Sequence, residues 1–180
     1  MPSPAPNRIV LPPPQTTLLV KTSSLGDVIH NLPVASDLHR HFPHIAIDWV
    51  VEESFADIAR LHPAVRNVIP VALRRWRKQL FKADTRLQWR AFRQALGRRH
   101  YDVILDTQGL VKSALIGWIA RGNRCGYAAD AAREPLAARF YNRSFAIPRN
   151  LHAVARNRWL AAVRPAAGAK RSRKRRTANG

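Results

Sequence analysis

A chain of 180 residues is long enough to bury one real core, and 46% apolar residues exclude compositional disorder. The single cysteine, Cys125, excludes an intrachain disulfide and a thiolate metal cluster. A net charge of +20 bears on partners (nucleic acid, anionic lipid, phosphorylated or carboxylated small molecules) and not on the fold.

Residues 1–16 read as a proline-rich extension. Pro2, Pro4, Pro6 and the run Pro12-Pro13-Pro14 cannot join a helix or a central strand. The opening does not resemble a secretory signal. No apolar run approaches the roughly 18–20 residues of a membrane-spanning helix. A cytoplasmic protein, soluble or peripheral, is the expectation. Thr17 to Lys21 is a short apolar run ending at a polar loop, which predicts a buried strand. Val28 to His41 carries apolar residues at helical spacing, and Ile45 to Val51 reads as a strand. Phe55 to Leu61 predicts a short helix and Val65 to Val71 a third strand. Asp84 to Arg99 is an amphipathic helix with Leu87, Ala91, Phe92 and Ala95 on one face. Tyr101 to Asp106 predicts a fourth strand, Lys112 to Ala120 a helix, and Asn123 to Gly126 the start of a fifth strand. This alternation predicts an α/β, Rossmann-like parallel sheet with helices on both faces over residues 17–164. Residues 165–180 end in Lys170-Arg171-Ser172-Arg173-Lys174-Arg175-Arg176 and read as a disordered basic tail.

In an open α/β sheet, ligands bind beyond the carboxyl ends of the strands. Three such ends are polar here. In the first loop, Lys21 to Asp27, Ser23 and Ser24 offer hydroxyls and backbone N–H groups at a helix start, and Gly26 is expected to make a tight turn with positive φ. Asp27 is either a helix cap or a general base aimed at a bound hydroxyl. The spacing fits neither a Walker A nor a G-x-G-x-x-G loop, so a nucleotide site is not supported on this half. In the second loop, Arg74, Arg75, Arg77 and Lys78 surround Trp76. This is either a solvated charge run or a site for phosphate and carboxylate groups. The third loop runs from Asp106 to Ser113 and includes Gln108 and Gly109. His39, His41 and His44 match no zinc pattern, and there is no Asp-x-Asp pair to hold Mg²⁺ against a diphosphate.

Five segments in order carry a family resemblance over roughly residues 17–160. They are Val20–His30, Asp48–Glu53, Ile69–Val71 with Arg74–Lys78, Asp106–Ser113, and Ala132–Ala137. They resemble the heptosyltransferase I branch of the ADP-heptose:lipopolysaccharide heptosyltransferase family. The resemblance implies the N-terminal, acceptor-binding half of a glycosyltransferase-B fold. It implies transfer of heptose from ADP-L-glycero-D-manno-heptose to the Kdo of Kdo-lipid A, with inversion, no metal and no cofactor. Carried over by position, Asp27 matches the general base. Arg74, Arg77, Lys78 and Arg133 match acceptor contacts. Ser23, Ser24, Gly26, Gln108 and Gly109 lie near the reacting groups. The implied partners are Kdo-lipid A, the ADP-heptose donor held mainly by a C-terminal domain, and the anionic cytoplasmic face of the inner membrane. No specific nucleic acid is implied. The chain ends near the family's interdomain region, so a truncated enzyme, inactive alone, is expected. The competing readings are an inactive fragment and a basic module that binds nucleic acid or membrane surfaces.

Overall fold

The computed structural model describes residues 13–79 and 81–162. Six parallel strands form one sheet in the order β3-β2-β1-β4-β5-β6. They are β1 (Thr16–Val20), β2 (Ala46–Glu52), β3 (Val65–Val71), β4 (His100–Asp106), β5 (Arg121–Tyr127) and β6 (Arg143–Phe145). The order reverses between β1 and β4, and the loops after those two strands flank the crevice where doubly wound sheets take ligands.

Alternation along the central strands divides the core into two layers. Leu19, Trp49, Val51 and Leu105 face one side, packed by α1 (Leu25–Ile29), α2 (Leu32–His41), α3 (Ala56–Arg60) and α7 (Ala153–Ala162). Leu18, Val20, Val50 and Ile104 face the other, packed by α4 (Leu73–Lys78), α5 (Ala83–Gly97) and α6 (Val111–Ile119). Because both faces are covered, the central strands β1, β2 and β4 carry buried apolar runs, as parallel sheets require. Among the described residues no helix is long and apolar enough to cross a membrane.

The chain departs from the sequence reading in four places. The helix expected over Val28 to His41 is two helices broken at His30-Asn31. Pro33 sits in the first turn of α2, where its missing N–H costs nothing; in one continuous helix its ring would strike the Ile29 carbonyl. The basic segment after β3 is helix α4, with buried Trp76 set edge-on to Trp89 and Phe92. The expected extension at 1–16 ends earlier than Thr16. That residue opens β1, and the backbone N–H groups of Gln15 and Thr16 donate to Asp102 Oδ2 at 2.8 and 3.0 Å. Residues 1–12 and the basic tail at 165–180 lie outside the described residues. Finally, a 3-10 helix at Pro135–Phe140, strand β6 and helix α7 complete the domain beyond β5.

Asp48 on β2 is a buried carboxylate, 1% exposed. It accepts hydrogen bonds from Arg66, Asn67, Arg99 and the Tyr101 hydroxyl, the last at 2.8 Å. Both arginines are half exposed and return to water if Asp48 is removed, whereas the Tyr101 hydroxyl is left buried without its acceptor. Asp48→Ala is therefore expected to lower the unfolding free energy by about 2–3 kcal/mol in denaturant titrations. Adding Tyr101→Phe should recover part of that loss.

Candidate functional site

The loop after β1 is fixed from below and from the side. The Lys21 N–H donates to Val50 O, and Trp49 Nε1 donates to Lys21 O, so the strand end is tied to β2. Gln108, buried at the end of β4, clamps the next two residues. Its Oε1 accepts from Thr22 N at 2.6 Å, from Thr22 Oγ1 at 2.9 Å and from Ser23 N at 3.4 Å. Its Nε2 donates to Ser23 O at 2.7 Å. One primary amide thus satisfies four backbone and side-chain groups of a buried loop.

Gln108 is itself held by Asp106. This fully buried carboxylate accepts from the N–H groups of Gln108 and Gly109 and from the hydroxyls of Ser113 and Tyr141. Burial pushes its carboxyl above the ordinary range, and the four donors oppose that shift. Gly109 has φ +69°, and a Cβ there would meet the Tyr127 ring at 3.1 Å and the Arg133 N at 3.4 Å. The positive φ expected at Gly26 belongs instead to Gly109: Gly26 lies in the first turn of α1 with open space around it.

Asp27, in the first turn of α1, sits at the centre of this frame. Its Oδ2 accepts from the Ser24 N–H at 3.1 Å, the capping contact that the sequence allowed. Its two oxygens also take both prongs of the Arg133 guanidinium, at 2.7 and 3.1 Å, and Lys21 Nζ lies 3.7 Å away. Burial raises the Asp27 carboxyl, but Arg133, Lys21 and the Ser24 N–H outweigh it and hold the group below its ordinary value. Asp27 is therefore ionised throughout the neutral range. Arg133, expected as an acceptor contact, is here the partner of Asp27, with its side chain still 47% exposed.

The basic helix borders the same loop. Glu52, ending β2, donates its N–H to Thr22 O and accepts the Arg74 N–H on Oε1 at 3.1 Å, so one residue braces both segments. Arg74, Arg77, Arg86 and Lys112 rim a groove of about 640 Å³ whose apolar lining includes Leu73, Trp76 and Trp89. Lys112 joins this groove to the Asp27 loop, its Nζ donating to Ser23 Oγ at 3.4 Å. Lys78, the last residue of α4, is exposed and does not line the groove. Arg75 pairs with Glu53 outside it. Sequence reasoning did not assign Lys21, Glu52 or Lys112 to the site. A cation at the end of a buried strand was the legible signal for Lys21. The roles of Glu52 and Lys112 come from the packing of β2 and α6. Among the described residues no three His, Cys, Asp or Glu side chains cluster as a metal site.

Residues 89–174 match the family model "Glycosyltransferase family 9 (heptosyltransferase)". Lipopolysaccharide heptosyltransferase 1 of Pseudomonas aeruginosa is 53% identical over 144 residues, 79% of this chain and 41% of that protein. Over this span the chain is a homologue of the lipopolysaccharide heptosyltransferases. The solved Escherichia coli heptosyltransferase WaaC with ADP is 51% identical and superposes with a TM-score of 0.80, over 82% of this chain and 46% of that one. The same enzyme with ADP-2-deoxy-2-fluoro heptose gives a TM-score of 0.79 at 51% identity, over 82% of this chain and 47% of that one. The domain described here is thus the N-terminal half of a glycosyltransferase-B fold. The chain spans less than half the length of these relatives.

Lys21 offers a direct test of the electrostatics. Burial lowers its ammonium to about 8, against the neighbouring carboxylate of Asp27, which raises it. In the unfolded chain Lys21 keeps its proton to about 10.4. Between these values the unfolded state binds more protons than the folded one, so the Lys21 contribution to stability rises with pH. The unfolding free energy of the wild type relative to Lys21→Met should therefore increase from pH 8 to pH 10.5. A flat or falling difference would show that Lys21 is not held desolvated beside Asp27.

Proposed function

We propose that this domain is the acceptor side of an enzyme transferring heptose from ADP-heptose to the Kdo sugar of Kdo-lipid A, with inversion and without a metal ion. The observation that carries the reading is the placement of an ionised, braced Asp27 at the β1/β4 switch point, linked through Lys112 to a cation-rimmed groove. A Kdo-lipid A acceptor presents carboxylates and phosphates. Guanidinium forks bind such groups bidentately, and Arg74 and Arg77 supply them. The basic surface also suits an anionic membrane face. Because the chain spans under half of its relatives, the transfer is assigned to a polypeptide in which this domain faces a donor-binding one.

Asp27 is a weak base, since Arg133 and Lys21 keep its carboxyl below the ordinary range. In an inverting displacement the acceptor hydroxyl gives up its proton late, as the new C–O bond forms and positive charge develops at the anomeric carbon. An always-ionised carboxylate both takes that proton and stabilises that charge. Arg133 is exposed enough to turn to an acceptor carboxylate, which would free Asp27 for the hydroxyl. The same cation then orients the acceptor and releases the base.

The test is a chimaera in which this domain replaces the matching region of the Escherichia coli relative. Transfer from ADP-heptose to Kdo-lipid A is expected. Asp27→Asn retains the cap but should cut kcat by about 10²-fold or more with little change in folding. Near-normal kcat in Asp27→Asn would return Asp27 to the role of a helix cap. Arg74→Ala and Arg77→Ala should raise the acceptor KM more than they lower kcat, because they bind anions already charged in the ground state. The 180-residue chain alone should bind the acceptor and show no transfer, since transition-state stabilisation needs both substrates held together.

A further inference from the structure

Beside the Asp27–Arg133 pair lies a small pocket of about 20 Å³, lined in part by Lys21, Thr107, Tyr127, Arg133, Arg156 and Asn157. That is room for one water molecule or one monoatomic ion. Two buried donors on its wall have no partner among the described residues: Arg156 Nε and Asn157 Nδ2. Asn157 is 3% exposed, and its Oδ1 accepts from the Tyr127 hydroxyl at 2.9 Å, which leaves its NH₂ without a partner among the described residues. Arg156 donates Nη2 to Ala131 O and lies over the Tyr127 ring at 4.8 Å; among the described residues it has no carboxylate partner. Buried polar groups are almost always satisfied, so two orphans of the same sign on one cavity point to a missing acceptor.

The charge balance makes the same point. The charge-bearing groups around Lys21 are the carboxyls of Asp27 and Asp106 and the guanidinium groups of Arg133 and Arg156. With Lys21 itself, three cations face two carboxylates. Asp106 is saturated by four donors, and both oxygens of Asp27 are taken by Arg133. One positive charge is left uncompensated in a desolvated region, which is costly. A water molecule would accept from the orphan donors but leave that charge in place. An anion does both.

We propose that this cavity is a binding site for one small monovalent anion, either a halide or a single oxygen of a carboxylate, held by Arg156 Nε and Asn157 Nδ2 behind the Lys21–Asp27 pair. Occupancy neutralises the excess cation beside the Lys21–Asp27–Arg133 cluster.

The experiment follows thermal unfolding of the full 180-residue chain at pH 7 and fixed ionic strength, with sodium methanesulfonate replaced by sodium bromide in one arm and by sodium acetate in another. A saturable rise in Tm of about 2–4 °C is expected in at least one arm. Bromide alone identifies a halide site, and acetate alone a carboxylate site. Crystals grown with bromide should show its anomalous signal between Arg156 and Asn157 in the first case. Asn157→Asp keeps the acceptor for Tyr127 and supplies its own negative oxygen, so its Tm should not respond to either anion. If Asn157→Asp does not fold, Arg156→Gln, which removes the cation and keeps an NH₂ for Ala131 O, should likewise lose the response. Equal anion responses in wild type and variants, or a cavity containing water alone, would overturn the proposal.

Discussion

The site depends on one buried carboxylate. Asp106 ends β4 with no access to water, and four donors converge on it: two backbone N–H groups of the following loop, one hydroxyl from α6 and one from Tyr141 ahead of β6. Leaving any of these donors unpaired in the interior is expensive. The chain between β4 and α6 therefore has one conformation. That conformation sets Gly109 at positive φ and aims the Gln108 amide across the switch point, where it holds Thr22 and Ser23. The loop bearing Asp27 is thus shaped by a residue on a different strand, 79 positions further along the chain.

The large positive charge of the sequence divides into two populations. Among the described residues most of the cations are exposed. A few cations are drawn into structured positions: Lys21 by burial at a strand end, Arg133 by Asp27, Arg156 by the Tyr127 ring, and Arg74, Arg77 and Lys112 by the apolar wall of the α4–α5 groove. The aromatic floor matters as much as the charges. Trp76 packs against Trp89 and Phe92 and directs its indole N–H to Gln88, which leaves Arg74 and Arg77 standing on a rigid rim. A rim that is already ordered loses less entropy when it closes on an anion.

Much of this was legible in the chain. The central strands read correctly because a sheet covered on both faces writes itself as short apolar runs, and Leu18–Val20 and Val103–Leu105 stand out for that reason. The polar strand ends read as a site by position alone. Three features did not read. Pro33 looked like an interior residue of one helix, because apolar spacing ignores where a proline ring must go. The α4 segment looked like a charged loop, because the Glu52 carboxylate that receives its Arg74 N–H comes from another strand. Helix α7 was missed because its polarity is reversed: Asn157 is buried and Trp159 is half exposed, so no apolar stripe marks it. The Asp27–Arg133 pair was named residue by residue, yet its contact was invisible, since nothing local relates positions 106 apart.

That separation also orders the assembly of the domain in time. Strand β1 pairs with β4 across more than 80 residues, and Arg133 reaches Asp27 only after β5 has been laid beside β4. Loop closure over such spans must precede any gain from the contacts, so the sheet forms slowly compared with its helices. Until β4 docks, the first loop lacks its Gln108 clamp, and until β5 follows it lacks its arginine, so the nascent chain carries Asp27 on a short, unbraced helix. The candidate site around Asp27 is therefore among the last parts of the molecule to acquire its shape during synthesis.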